Sequence, residues 1–219
     1  MFDWDGTLVD SLPLKIRNVG ILFEQAFGLP AASVERSYQT HSGIPRRDLF
    51  DAILADHQLA PLADGQFTDL SRRFSELNQA ALTDPEVDSL VSTDTRDTLT
   101  ALQEIGFPMY VSSSAESGEI HIVARALGLD GFFLDILGSR PGFSKGREHI
   151  EYVLELHKAL PSQVAFIGDD PADIRLGREA GVITIARLKG AEDERVLAEE
   201  PHYGIRSLNE LIFIFKQEE

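Results

Sequence analysis

The sequence contains no cysteine, which excludes a disulfide framework, a thiol nucleophile, an iron–sulfur centre and any zinc site built on thiolates. That composition fits a reducing compartment. Basic residues are also scarce, with 20 Lys and Arg against 36 Asp and Glu, a formal charge of −16. Broad electrostatic attraction to nucleic acid or to an anionic membrane surface does not fit such a balance, so an anionic substrate would need a local cationic site. No apolar run approaches the roughly 20 residues of a membrane span, and the first residues lack a basic segment followed by an apolar stretch. Cytoplasmic placement is the expectation. There is no P-loop, no Gly-x-Ser-x-Gly elbow and no His-Glu-x-x-His pair, and the six histidines have no metal-type spacing.

What is present suits a folded enzyme-sized chain: 219 residues, 43% hydrophobic and 26% charged, enough for a core domain carrying a smaller insert. Met1 to Asp10 reads as a strand end breaking at Gly6. Apolar residues then recur at helical spacing over Leu12–Phe27, Ala32–Tyr38, Arg46–Leu54 and Gln66–Leu82, with no convincing strand before Asp88. Beyond it the pattern alternates. Helices are expected at Thr95–Ile105, Glu119–Leu127, Gly146–Leu160, Ala172–Ala180 and Leu208–Phe215, and strands at Pro108–Val111, Leu134–Leu137, Val164–Ile167 and Val182–Ala186. Such alternation implies an α/β fold, a Rossmann-like parallel sheet core with helices on both faces, into which an all-helical unit is inserted.

In open parallel sheets ligands sit beyond the carboxyl ends of the strands, and four groups of polar residues follow the apolar runs. Asp3 and Asp5 alternate along an extended segment, so both carboxylates reach one spot and require a cation or a shared proton. Asp169, Asp170 and Asp173 follow Val164–Ile167. One of them is explained as a helix cap, but Asp3, Asp5, Asp169 and Asp173 converging at a sheet end form an oxygen-rich site suited to magnesium. Ser112, Ser113 and Ser114 close another strand, where hydroxyls orient an anionic oxygen or make local turns. Lys145 stands where a helix begins, a placement unfavourable to a cation unless it meets an anion.

These segments, Asp3-Trp4-Asp5-Gly6-Thr7-Leu8-Val9-Asp10-Ser11, Ser112, Lys145 and Gly168-Asp169-Asp170-Pro171-Ala172-Asp173, resemble the four ordered motifs of the haloacid dehalogenase (HAD) superfamily. The helical insert is similar to the cap of its phosphoglycolate phosphatase and β-phosphoglucomutase-like branch, with a core at 1–11 and 89–219 and a cap at 12–88. The resemblance implies a magnesium-dependent phosphatase of small phosphorylated metabolites. Asp3 would be the nucleophile and Asp5 the general acid and base; Asp3, Asp169, Asp173 and the backbone carbonyl of Asp5 would hold or support the metal. Ser112, Ser113 and Lys145 would bind the phosphate, and Arg46, in Gly43-Ile44-Pro45-Arg46, would read a second anionic group or simply be a solvated cation. The site would lie between core and cap, with hinges near Ser11–Leu12 and Pro85–Ser92, in a monomer or homodimer.

Two departures from the family pattern stand out. Only Met1 and Phe2 precede Asp3, where several apolar residues are usual, so the first strand is expected to be unusually short or truncated. Asp170 replaces a small hydroxyl residue and is either a neighbour of the metal or a helix cap. A phosphosugar mutase is the main alternative, opposed by Glu116 where those relatives often carry a cation; a non-catalytic phosphate-binding protein is another. The presence of Asp5 and the scarcity of lysine in the insert oppose a dehalogenase and a Schiff-base hydrolase, and the motif order opposes a phospho-signalling receiver.

Overall fold

The computed structural model describes residues 1–42, 44–81, 89–190 and 193–216. Gly43, the expected helix end at Leu82 and the first half of the expected Pro85–Ser92 hinge lie outside the described residues. The chain divides into two compact units, Met1–Asp10 with Asp88–Glu219, and Ser11–Val87.

Among its described residues the Ser11–Val87 unit has four α-helices: α1 (Leu12–Phe27), α2 (Ala31–Thr40), α3 (Arg46–Asp56) and α4 (Asp64–Ala80). Each turns one apolar stripe inward, so that Val19, Leu22, Phe23, Val34, Phe50, Ile53, Leu70 and Phe74 share one core. The Phe50 ring sits edge-on to Phe23 and Phe74, with centroids 5.2 and 5.7 Å apart, and such pairs contribute about 0.5–1.5 kcal/mol each beyond area burial. No strand occurs among its described residues.

The other unit contains α5 (Thr93–Ile105), β1 (Tyr110–Glu116), α6 (Ser117–Ala126), β2 (Asp135–Ser139), α7 (Arg147–His157), β3 (Ala165–Gly168), α8 (Pro171–Glu179), β4 (Ile183–Arg187), α9 (Asp193–Leu197), β5 (Tyr203–Ile205) and α10 (Leu211–Lys216). β1 pairs with β2, and β3, β4 and β5 pair in that order, all parallel. Phe2 joins the two halves by single parallel bridges to Val111 and Ile167. Its N–H donates to Tyr110 O (2.8 Å), and the Ser112 N–H donates to Phe2 O (2.8 Å). The spatial order is therefore β2, β1, the Phe2 segment, β3, β4, β5.

Alternation along the strands covers both faces. Met1, Tyr110, Leu137 and Phe166 pack with Ile150 and Val153 of α7, while the intervening Phe2, Val111, Ile136, Ile167 and Ile185 are buried on the opposite side. This is the mixed α/β architecture expected from the sequence.

The differences are local. β1 runs on to Glu116 through a register shift after Ser112. α7 stops at His157 rather than Leu160, because Lys158 takes a left-handed conformation, φ 52°. β5 and α9 are additional; both are too short, at three and five residues, to show a period. The Met1 amine is buried and donates to Ala165 O (2.7 Å). Beside it, at the amino ends of the strands, lies a mainly apolar cavity of about 600 Å³ lined by residues such as Met1, Leu102, Val153 and Phe215. Asp3, Ser112, Lys145, Asp169 and Asp173 are at the other end of the sheet.

Candidate active site

Asp3 is the first residue past the Phe2 bridges. Its N–H donates to Ile167 O (2.8 Å), which sets it level with the end of β3, and its side chain is buried. The chain then folds back at once: Leu8 N and Val9 N both donate to Trp4 O (3.0 Å), and Gly6 N donates to Val9 O (2.8 Å). Gly6 has φ +83°, and a Cβ on it would lie 2.0 Å from Asp169 Oδ2. A side chain at this position would therefore displace that carboxylate. Thr7 completes the join by donating its hydroxyl to Asp169 Oδ1 (2.8 Å).

Asp169 follows β3 directly, and Asp173 lies in the first turn of α8, fully enclosed. Gly168 makes room for it, since a Cβ there would fall 2.3 Å from Asp173 Oδ2. Lys145, just before Gly146 at the N-cap of α7, places Nζ 2.6 Å from Asp3 Oδ1 and 2.6 Å from Asp173 Oδ1. Here is the anion that the position of Lys145 required. Burial alone would lower the pKa of this ammonium; Asp173 and Asp3 together outweigh that effect and raise it.

The carboxyls respond in the opposite sense to an ordinary surface acid. Burial pushes Asp169 up to about 7, aided by repulsion from Asp3 and opposed by the Thr7 hydrogen bond. Burial likewise raises Asp3, against the pull of Lys145, and Asp173. One oxygen from each of Asp3, Asp169 and Asp173 lies within 4.8 Å of the others. Two buried carboxyls bridged by one lysine, with the half-buried Asp169 beside them, leave negative charge to be met by protons or by a cation. An all-oxygen donor set of this kind fits a hard divalent cation. Asp5 is half-buried on the loop after Asp3.

The remaining expected residues are distributed as follows. Ser112 is buried and shares a 2.9 Å hydrogen bond with His149 Nδ1 on α7; burial lowers His149 to about 4, so its ring is neutral at pH 7. Ser113 accepts from Ala115 N (3.1 Å), which leaves its hydroxyl proton to donate. Asp170 is a helix cap, its Oδ1 accepting from Ala172 N (2.8 Å). Arg46 reaches Ser71 Oγ (2.9 Å) and Ser75 Oγ (3.1 Å) on α4, and its guanidinium lies 5.2 Å from the Phe74 ring centroid.

Sequence reasoning missed Thr7, His149, Arg187 and Lys189. Thr7 carried a signal, two residues after Asp5 in the same motif. Arg187 ends β4, one strand over from Asp169, because Gly168 pairs with Ala186. Its side chain is 11% exposed and stands 3.8 Å from Asp94 Oδ2, and burial lowers its pKa. Lys189 is exposed; partial desolvation and then the neighbouring Arg187 lower its pKa, while Asp169, Asp10 and Asp3 act in the other direction.

A parallel sheet interrupted early by a helical unit, with enclosed carboxyls and a lysine at its carboxyl end, is the layout of the haloacid dehalogenase class of hydrolases. The family model for haloacid dehalogenase-like hydrolases matches residues 1–187. The chain is 28% identical over 215 residues to a phosphoglycolate phosphatase of Pseudomonas savastanoi pv. phaseolicola, covering 97% of this chain and 77% of that one. Among solved structures it is similar to a predicted phosphoglycolate phosphatase from Haemophilus somnus (TM-score 0.82, 22% identity, 98% and 96% of the two chains). It is also similar to a β-phosphoglucomutase from Clostridium difficile (TM-score 0.77, 18% identity, 99% and 94%). The chain belongs to the haloacid dehalogenase-like hydrolase family.

Proposed function

We propose that the protein hydrolyses small phosphorylated metabolites of the phosphoglycolate or sugar-phosphate type through an aspartyl-phosphate on Asp3. One observation carries the reading: Lys145 joins Asp3 to Asp173 while Asp169 stands beside them, so that a nucleophilic carboxylate, a fixed cation and a carboxylate cluster share one enclosed spot. Asp3 attacks phosphorus in line, and the ester oxygen leaves with a proton from Asp5. In the second step Asp5 takes a proton from water, whose oxygen attacks phosphorus and frees Asp3. Lys145 offsets charge on the phosphoryl oxygens. The Ser113 hydroxyl, whose proton is uncommitted by its bond from Ala115 N, donates to one of them, while Ser112 is occupied by His149.

Asp3, Asp169 and the backbone carbonyl of Asp5 would hold Mg²⁺, with Asp173 aligning Lys145 and supporting the cluster. When bound, that ion supplies charge neutralisation between the nucleophile and the phosphate. The cysteine-free, acidic composition supports a cytoplasmic enzyme acting on free metabolites rather than on nucleic acid.

The test is phosphate release from a panel of phosphorylated metabolites, with Mg²⁺ and with chelator, by the native chain, Asp3→Asn and Asp5→Asn. Each variant is expected to lose at least 10²-fold in kcat, the lower end of the contribution of a general acid–base group. Turnover that survives in Asp3→Asn rejects the covalent route. A chain that interconverts sugar phosphates faster than it releases phosphate is instead a mutase, the activity printed for the Clostridium difficile neighbour.

A further inference from the structure

Arg187 and Lys189 stand outside the machinery described above, yet they are placed beside it. The pairing of Gly168 with Ala186 carries β4 past the end of β3, so Arg187 comes level with Asp169 and Lys189 follows two residues on. On a molecule with a formal charge of −16, two cations have been set close enough to oppose one another.

Neither cation is well satisfied. The Asp94 carboxylate nearest Arg187 is already committed: Oδ1 accepts from Ser207 Oγ (2.8 Å) and Asn209 N (3.1 Å), and Oδ2 accepts from Leu208 N (2.9 Å). Arg187 approaches it only to 3.8 Å, and among the described residues its enclosed Nε has no hydrogen-bond partner. Lys189 is exposed and, among the described residues, has no carboxylate within 4.0 Å, although Asp169, Asp10 and Asp3 all lie within electrostatic reach. Asp10 is itself exposed. A buried donor without an acceptor and an unpaired ammonium next to it, at the strand ends where ligands bind, form a pair of positive groups that an anion would complete.

We propose that Lys189, with Arg187 behind it, forms a subsite for a second anionic group carried by the substrate beside the phosphate that is hydrolysed. The inference deepens the phosphatase reading and rests on it. A carboxylate or a second phosphate presents the same chemistry to an ammonium, and a site of this kind contributes discrimination rather than turnover, because it binds ground state and transition state alike.

The experiment compares the native chain, Lys189→Met and Lys189→Arg on three esters: ethyl phosphate, which has no second anion, 2-phosphoglycolate, which has a carboxylate, and a sugar bisphosphate. Mg²⁺ affinity is measured in parallel by calorimetry. Lys189→Met is expected to raise KM at least tenfold for one or both doubly anionic esters. Its KM for ethyl phosphate, its kcat and its Mg²⁺ affinity should stay within about twofold of native, and Lys189→Arg should restore most of the preference. The doubly anionic ester that responds more strongly identifies the group that is read. An equal rise in KM for all three esters overturns the proposal and leaves Lys189 as a counter-charge to Asp169. No change for any ester overturns it as well. A native chain that hydrolyses none of the three defeats the phosphatase reading itself, a result distinguishable from either outcome in the variant.

Discussion

Two adjacent serines with the same functional group have different fates because a strand alternates. Ser112 shares the face of Tyr110 and meets the neutral ring of His149, whereas Ser113 falls where the register shifts and holds a local turn. Their alanine variants should therefore separate. Ser112→Ala removes one partner of a buried hydrogen bond and leaves the His149 ring nitrogen unsatisfied, at a cost of about 1–3 kcal/mol, with kcat/KM close to native in protein that remains folded. Ser113→Ala should unfold near the native temperature and lose about tenfold or more in kcat/KM, as expected when one charge-assisted hydrogen bond to a phosphoryl oxygen is lost. Thermal unfolding and steady-state kinetics on both variants check the assignment; a larger kinetic loss in Ser112→Ala would reverse it.

At the level of elements, the end of β3 and the start of α8 are held at the closest approach that their side chains allow. Gly168→Ala forces a methyl to within 2.4 Å of Asp173 Cβ, and overpacking of this kind costs about 1–3 kcal/mol. The displaced group is a partner of Lys145, so phosphatase activity should fall more steeply than stability; a variant with native kcat would show that α8 can yield. The same place shows what the sequence made legible. Asp3, Lys145, Asp169 and Asp173 were found because each directly follows an apolar run or opens a helix, positions that topology alone makes special. The pairing of Lys145 with Asp173 was not legible, since it depends on how two helix starts are spaced. Helices with a clear stripe, such as α1, have the ends their sequence suggests. β5 and α9 do not, because segments of three to five residues are fixed by what they pack against. Arg187 and Lys189 escaped notice for a related reason: an Arg-x-Lys after a strand reads as solvated charge until its neighbour is known to be Asp169.

For the molecule as a whole, the raised carboxyl pKa values make stability depend on pH. Burial holds Asp169 at about 7 in the fold, against an ordinary value of 3.8, and raises Asp3 and Asp173 in the same direction. Between pH 4 and 7 the folded chain therefore holds protons that the unfolded chain has released, and stability falls as pH rises through that window. The Met1 amine has the reverse effect: burial lowers it from 8.0 to about 5, so its contribution to stability grows from pH 5 to 8. The buried His149 ring, lowered from 6.5 to about 4, acts in the same direction between those values, so three groups oppose two. The unfolding temperature in chelator should fall from pH 5 to pH 7, and Mg²⁺ or Asp169→Asn should flatten the slope. A rise over that range without added cation would contradict the protonated cluster.

The position of the Phe2 segment also sets a clock. It must be gripped by Val111 on one side and Ile167 on the other, and Thr7 must wait for Asp169. A ribosome making about 5–20 residues each second needs on the order of ten to thirty seconds to supply that second edge. The core of the Ser11–Val87 unit draws on residues between Ile16 and Leu77 and is synthesised early in that interval. A nascent chain thus carries its proposed nucleophile well before it can assemble the pocket around it, and a product interrupted ahead of Ile167 would be inert toward the phosphate esters around it.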